Sequence, residues 1–295
     1  MAADPNVRWW KQATYNALLL ADGVDATLVV RVRVYGDDAL ERSVEREHAI
    51  LARVPPGVGP RALFADASCT RVPYPYRIET RSEGHHPRAF DDDLVIRLAA
   101  LFARLHGRIE DRSGGDPAGT ARALRSLLDV DAGDDRALAS LLRAGGAALR
   151  RYAERFGASS AATIHGDPHL DNVLDTAGGC VLLDWEQAAR DDPALDLAAL
   201  CWMSALMGIT SEPLSEAHRR LFFLHYAGTT GDRTAEERTR LLEPLVVALQ
   251  AGGLRSKLLR RAELPPHLAG PAALAEMQAG IARGIYLARA CGFVR

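Results

Sequence analysis

Lysine is almost missing from this chain. Lys11 and Lys257 are its only two lysines, and arginine supplies the rest of the 36 basic side chains. Any task that usually falls to an ammonium group must therefore fall to a guanidinium, which stays charged and grips oxyanions through two donors. Cysteine is sparse as well. Cys69, Cys180, Cys201 and Cys291 are scattered without a CxxC pair, which speaks against a zinc site or a disulfide framework. Reduced thiols in a cytoplasmic protein are the expectation. No run of about 18 uncharged apolar residues occurs, so no membrane insertion is expected. The stretch Met1 to Lys11 lacks the apolar core of a secretory signal. The net charge is only −2, which provides no field of one sign to attract nucleic acid or an anionic membrane.

What is present is enough apolar material, 48% of 295 residues, for a sizeable core and two lobes sharing a cleft. The N-terminal stretch reads as β-rich. Thr14 to Leu20 is a strand ended by the Asp22-Gly23 turn. Thr27 to Tyr35 is the strongest strand signal, rich in β-branched residues and stopped by Gly36 and two aspartates. Leu40 to Val54 has helical spacing in Val44, Ala49, Ile50 and Leu51, and Pro55-Pro56-Gly57 ends it. Arg61 to Asp66 and Tyr74 to Thr80 are two further short strands. Beyond them the character turns helical. Leu94 to His106 follows the acidic cluster Asp91 to Asp93, which suits a helix N-terminus. Residues 120–157 read as one or two helices, and Leu195 to Met207, Glu212 to Tyr226 and Ala272 to Ala290 as three more. The fold class is α+β: a small β-rich N-terminal lobe, residues 1–80, and a larger helical lobe, residues 81–295.

Thr163 to Leu183 breaks the helical pattern with a loop dense in His, Asp and Asn, followed by the short apolar strand Cys180 to Leu183. Phosphoryl transfer needs a carboxylate to orient the attacking hydroxyl and accept its proton, and oxygen ligands for Mg²⁺ on the nucleotide phosphates. Asp167 and Asn172, five positions apart in this loop, can supply the base and one metal ligand. Asp184, after the apolar strand, can supply the other. Singly, a His-Gly-Asp is most often a turn and an Asp-Trp after a strand most often a cap. Together, their order and spacing point to a catalytic loop. His85-His86 reads as a surface loop, His106 as a helix end, and Trp185 and Trp202 more as core residues than as ligand contacts.

Ile164-His165-Gly166-Asp167-Pro168-His169-Leu170-Asp171-Asn172 and Leu183-Asp184-Trp185-Glu186 resemble the catalytic region of the aminoglycoside phosphotransferase and choline kinase superfamily, whose fold is similar to that of protein kinases. The resemblance implies a two-lobed kinase-like fold, ATP as phosphoryl donor, Asp167 as catalytic base, and Asn172 and Asp184 as Mg²⁺ ligands. It also implies structural roles for Asp196, in Asp192-Pro193 to Asp196-Leu197-Ala198, and for His165, which braces the loop.

The N-terminal part resembles the choline and ethanolamine kinase branch. Gln12-Ala13-Thr14-Tyr15-Asn16 stands where that branch has a Gly-rich Thr-x-Asn nucleotide loop, which assigns Thr14 and Asn16 to the nucleotide. Val32-Arg33-Val34-Tyr35-Gly36 is similar to its Val-Arg-Ile-Tyr-Gly strand, which makes Arg33 the phosphate anchor. Glu45-Arg46-Glu47-His48 is similar to its Asp-Arg-Glu-x helix, which makes Glu47 the partner of Arg33. Gly59-Pro60 falls at its Gly-x-x-Pro turn, and Ile78, in the strand Tyr76 to Glu79, is assigned to the nucleotide pocket. The chain departs from the pattern in four places, one of them the hinge, Tyr76-Arg77-Ile78-Glu79, which is recognisable only as a short strand before a helix. Gln12-Ala13 replaces glycines, Arg31 stands at a position usually small and apolar, and the last helix lacks the tryptophans that box a quaternary ammonium. The acceptor implied is a small-molecule hydroxyl, on an amino alcohol of the choline, ethanolamine or thiamine kind, with Glu186, Trp202 and Asp171 lining its pocket. The alternatives are an aminoglycoside or macrolide phosphotransferase and a nucleotide-binding pseudo-enzyme.

Overall fold

Alternation of side chains sets the first layer of the molecule. The computed structural model describes residues 7–13, 15–23, 27–35, 38–107, 128–156 and 161–294. Strands β1 (Val7–Gln12), β2 (Asn16–Asp22), β3 (Thr27–Arg33), β4 (Ala62–Asp66) and β5 (Tyr76–Thr80) form one antiparallel sheet in the order β1-β2-β3-β5-β4. Helix α1 (Asp38–Leu51) lies between β3 and β4 in the chain and packs against β4 and β5. Cross-strand register places Asn16 opposite Arg33, Leu18 opposite Arg31 and Leu20 opposite Val29. Arg31 in turn stands opposite Arg77, and Val29 opposite Glu79. Directly paired residues share a face, so one face of this sheet carries Leu18, Leu20 and Val29 together with three buried arginines and a buried glutamate.

Strand β1 was not among the strands expected from sequence. All six of its residues are exposed, so it has no apolar–polar alternation to read. It is an edge strand with a bulge between Trp9 and Lys11, and its pairing with β2 gives it its form. The turn after β2 and Gly36 after β3 border or fall on residues outside those described.

Helix α2 (Asp92–His106) begins where Asp91 accepts a hydrogen bond from Leu94 N at 2.8 Å and ends at Gly107, φ 69°. Leu94, Leu98, Leu101, Phe102 and Leu105 repeat at helical spacing and are buried. Helices α3 (Arg136–Phe156), α4 (Pro193–Leu206), α5 (Glu216–Thr230), α6 (Ala235–Leu259) and α7 (Pro271–Ala290) complete this part. Within 120–157, residues 136–156 form a single helix, and residues 120–127 lie outside those described. The helix expected from Glu212 starts later because Ser215 caps it, accepting from His218 N at 3.2 Å. Asp192 caps α4 with Pro193 behind it, and α4 is then buried almost along its whole length. α3 and α4 pack on α6, and α2 packs on α5. Burying a side chain such as Leu197 or Phe222 here stabilises the fold by roughly 1.5–3 kcal/mol. Leu51 and Val58 join this core from the N-terminal side. Among the described residues no helix is long and apolar enough to cross a membrane.

Two small antiparallel pairs sit between the layers. β6 (Ala162–Ile164) pairs with β9 (Ala189–Asp191), and β7 (Val173–Thr176) with β8 (Gly179–Leu182). The strand expected at Cys180 is thus one arm of a hairpin. Together the pairs bring the loop 165–172 beside the turn 184–187.

Candidate active site

The loop at Asp167 is held mainly through its backbone. Gly166 has φ 85°, and a Cβ there would lie 2.4 Å from the carbonyl oxygen of Gln187, so only glycine fits. His165 N and Gly166 N each donate to the Asp196 carboxylate at 2.7 Å. Asp196 is fully buried in the first turn of α4 and also receives His106 Nε2 at 3.2 Å, while His106 Nδ1 meets the Tyr226 hydroxyl at 2.9 Å. His165 Nε2 lies 2.8 Å from Leu183 O, and Asp167 N donates to its Nδ1 at 3.3 Å, which sets the tautomer with the proton on Nε2. The Trp185 and His165 rings meet edge-to-face, their centroids 4.9 Å apart. Both residues expected to be structural, His165 and Asp196, therefore brace this loop.

Asp167 follows with its side chain 32% exposed. Asn172 Nδ2 donates to Asp167 O at 3.0 Å and lies 3.5 Å from its Oδ2. His169 Nε2 lies 3.5 Å from the same oxygen. Burial would raise the Asp167 carboxyl, but the hydrogen bond and charge of His169, aided by Lys257, hold it below the ordinary range. His169 is the converse case. Burial would lower it, and the Asp167 carboxylate, then Asp171 and Asp184, raise it. His169 was quoted in the sequence motif but given no role; its place inside the Asp-to-Asn loop was the available signal.

Asp184 ends the segment after β8 in the left-handed region, φ 64° and ψ 72°. For a residue with a Cβ this is strained by roughly 1–3 kcal/mol, and such residues cluster at functional sites. Its side chain is 38% exposed, and Arg31 Nη1 stands 3.5 Å from Oδ1. Glu186 lies 3.4 Å from Arg33 Nη1. Burial, then repulsion from Asp184, push its carboxyl up to about 7 against the pull of Arg33. Expected beside the acceptor, Glu186 instead faces the N-terminal sheet.

That sheet face is a chain of ion pairs. Arg31 Nε donates to Glu79 Oε1 at 2.7 Å, Arg77 Nε lies 3.4 Å from Glu79 Oε2, and Arg77 Nη1 pairs with Glu47. Burial would raise Glu79, but Arg31 and then Arg77 hold it below the ordinary range. Glu47 is raised, because burial outweighs Arg77 and Arg31. The pairing of Glu47 with Arg33 expected from sequence is therefore not formed. α1 packs on β4 and β5, so its glutamate meets Arg77 of β5 before it can reach β3. Arg33 is 5% exposed, stacks over Tyr15 at 5.1 Å and stands opposite Asn16, which is also buried. Among the described residues Arg33 Nε finds no hydrogen-bond acceptor. Such a buried, unpartnered donor fits a phosphate ligand.

Two other expected positions fall elsewhere. Ile78 alternates with Arg77 and Glu79 and so points to the opposite face of the sheet. Trp202, 2% exposed, packs on Phe293 in the helical core and has no surface to offer a substrate. Thr14 lies outside the described residues. Asp171 is at the surface, paired with Arg88 at 2.7 Å.

The donor set suits Mg²⁺ held on a nucleotide. Among the described residues no group of three or more His, Cys, Asp or Glu converges as a self-sufficient metal cage. Mg²⁺ takes only one or two protein ligands when phosphates provide the rest. Asp184 presents a partly open carboxylate, and Asn172, its Nδ2 engaged by Asp167, retains Oδ1.

Residues 14–242 match the model of the phosphotransferase enzyme family (APH). A thiamine kinase of Salmonella paratyphi A is 29% identical over 244 residues, 77% of this chain and 74% of that protein. The Plasmodium vivax ethanolamine kinase superposes with a TM-score of 0.66 at 15% identity, covering 98% of this chain and 84% of its own. The choline kinase of Streptococcus pneumoniae does so with 0.63 at 16%, covering 95% and 93%. These likenesses show the two-lobed, protein-kinase-like α+β fold. The match to the family model spans strands β2 to β5 of the N-terminal sheet and the loop at Asp167, and this chain belongs to the phosphotransferase enzyme family as a small-molecule kinase.

Proposed function

We propose that this kinase transfers the γ-phosphoryl group of ATP to the hydroxyl of a small amino alcohol of the choline, ethanolamine or thiamine kind. The observation that carries it is Asp167: an ionised carboxylate, a third of it open, on a loop whose backbone is fixed from α4. It orients the acceptor hydroxyl and takes its proton. Residues 1–80 bind the nucleotide and residues 81–295 supply the catalytic loop and the acceptor site. Arg33, beside Asn16, grips the phosphates. Asn172 and Asp184 hold Mg²⁺, which when bound offsets the charge of the phosphate oxygens. The ionised, partly open carboxylate of Asp167 favours a cationic acceptor, and the thiamine kinase relatives support the same class.

Two measurements test this. Asp167→Asn is expected to lower turnover by roughly 10²-fold or more with nucleotide affinity near normal. A variant retaining more than half the wild-type rate would remove Asp167 from the role. A coupled assay over thiamine, choline, ethanolamine, aminoglycosides and macrolides is expected to favour an amino alcohol. Faster turnover of an antibiotic would move the chain to the resistance class.

A further inference from the structure

Arg31 and Arg33 are two buried guanidinium groups on one strand face, and a single phosphate anchor uses only one of them. What Arg31 touches defines its task. Its Nε bond to Glu79, 2.7 Å between side chains almost closed to water, is short and charge-assisted. Its Nη1 contact with Asp184, 3.5 Å, is long for a hydrogen bond but close enough for strong Coulomb attraction. Glu79 is itself fixed by Arg77, and Arg77 by Glu47. Arg31 is therefore seated from β5 and α1, and only its loose end reaches Asp184. The left-handed backbone of Asp184 fixes where that carboxylate starts, and its 38% exposure leaves it open to a cation from solvent.

We propose that Arg31 is a built-in counter-cation for Asp184: it neutralises Oδ1 while the nucleotide site is empty and yields it to a divalent cation arriving with the nucleotide. This role rests on Asp184 being a Mg²⁺ ligand. Two cations compete for one carboxylate, so Arg31 sets how much divalent metal the enzyme needs. Because the tight bond to Glu79 is kept throughout, release of Asp184 requires a side-chain adjustment and no strand movement. Arg31 is in this sense a positioning residue, separate from the phosphate contact of Arg33.

Arg31→Met alone would leave Glu79 a buried carboxylate with one partner fewer, so the paired variant Arg31→Met/Glu79→Gln removes both charges together. Wild type, the paired variant, and Asp184→Asn in each background are titrated with Mn²⁺ in the presence of ADP. Free Mn²⁺ is read by electron paramagnetic resonance, and thermal melts verify folding. The half-saturating Mn²⁺ concentration is expected to fall roughly three- to ten-fold in the paired variant, the size of a partly screened ion pair. An unchanged or higher midpoint in a folded paired variant, with Asp184→Asn still raising it in the wild-type background, overturns the role of Arg31 alone. No effect of Asp184→Asn in either background would instead remove Asp184 as a metal ligand. If the paired variant melts below the assay temperature, Arg31→Lys replaces it. Lysine keeps the charge on Glu79 but is too short to span both carboxylates, so the midpoint should again fall; no fall overturns the proposal.

Discussion

The loop around Asp167 and the charged face of the N-terminal sheet meet at Asp184 and Glu186, yet different forces hold them. In the loop, short side chains bind backbone: Asp196 accepts His165 N and Gly166 N, and Asn172 donates to Asp167 O. On the sheet face, long side chains bind each other: Glu47 with Arg77, Arg77 with Glu79, Glu79 with Arg31, and Arg33 with Glu186. A short carboxylate on a rigid helix turn has one geometry available. A guanidinium on a flexible stem has several, and its partner is decided by which carboxylate the packing brings nearest. The first region has one arrangement open to it, and in the second the exchange we propose is confined to the loose end of Arg31 at Asp184.

The sharpest way to break this comparison is to remove Asp196. Asp196→Ala leaves two backbone donors and His106 buried without their acceptor, and is expected to destabilise the protein by roughly 3–5 kcal/mol. Denaturant unfolding measures it, and a loss under about 1 kcal/mol would mean the loop is not held from α4. A smaller effect tests the sheet face. In a double-mutant cycle on stability, Glu47→Gln with Arg77→Met should show coupling of about 1.5–3 kcal/mol, and Glu47→Gln with Arg33→Met under about 0.5 kcal/mol. The reverse order would restore the Glu47–Arg33 pair that the sequence led one to expect.

The smallest expected effect is in acid. Glu79 is depressed in the folded state, so its contribution to stability is fully present above its ordinary value of 4.5 and is lost as pH falls through the folded value. The stability gap between wild type and Glu79→Gln should therefore narrow on acidification from about pH 7 to about pH 3. A gap that stays constant over that range would mean Glu79 is not held ionised by Arg31 and Arg77.

The candidate site was legible where its signal is local. Asp167, Asn172 and Asp184 stand out because one loop and one short strand separate them, and chain connectivity alone keeps them near each other. Helices α2 and α4 were legible for the same reason, since Asp91 and Asp192 cap them within three residues. Strand β1 was not, because an exposed edge strand carries no burial pattern. Ile78 was assigned to the nucleotide although strand alternation puts it on the face away from Arg31, an error of register. Trp202 went to the core because α4 is enclosed by helices on several sides, and the sequence of a fully buried helix does not say which neighbour it meets.

The sequence by itself determined the loop from Asp167 to Asn172, the α+β order of elements and the use of arginine for lysine, all of which follow from adjacent residues and composition. Only the tertiary structure decided that Gly166 must be glycine, through the Gln187 carbonyl, and that Glu47 belongs to Arg77. It also decided that Arg31 reaches Asp184 across 153 positions of chain. Ion pairing has no periodicity and no fixed spacing. Its partners are set by distances that exist only once sheet, helix and loop have packed.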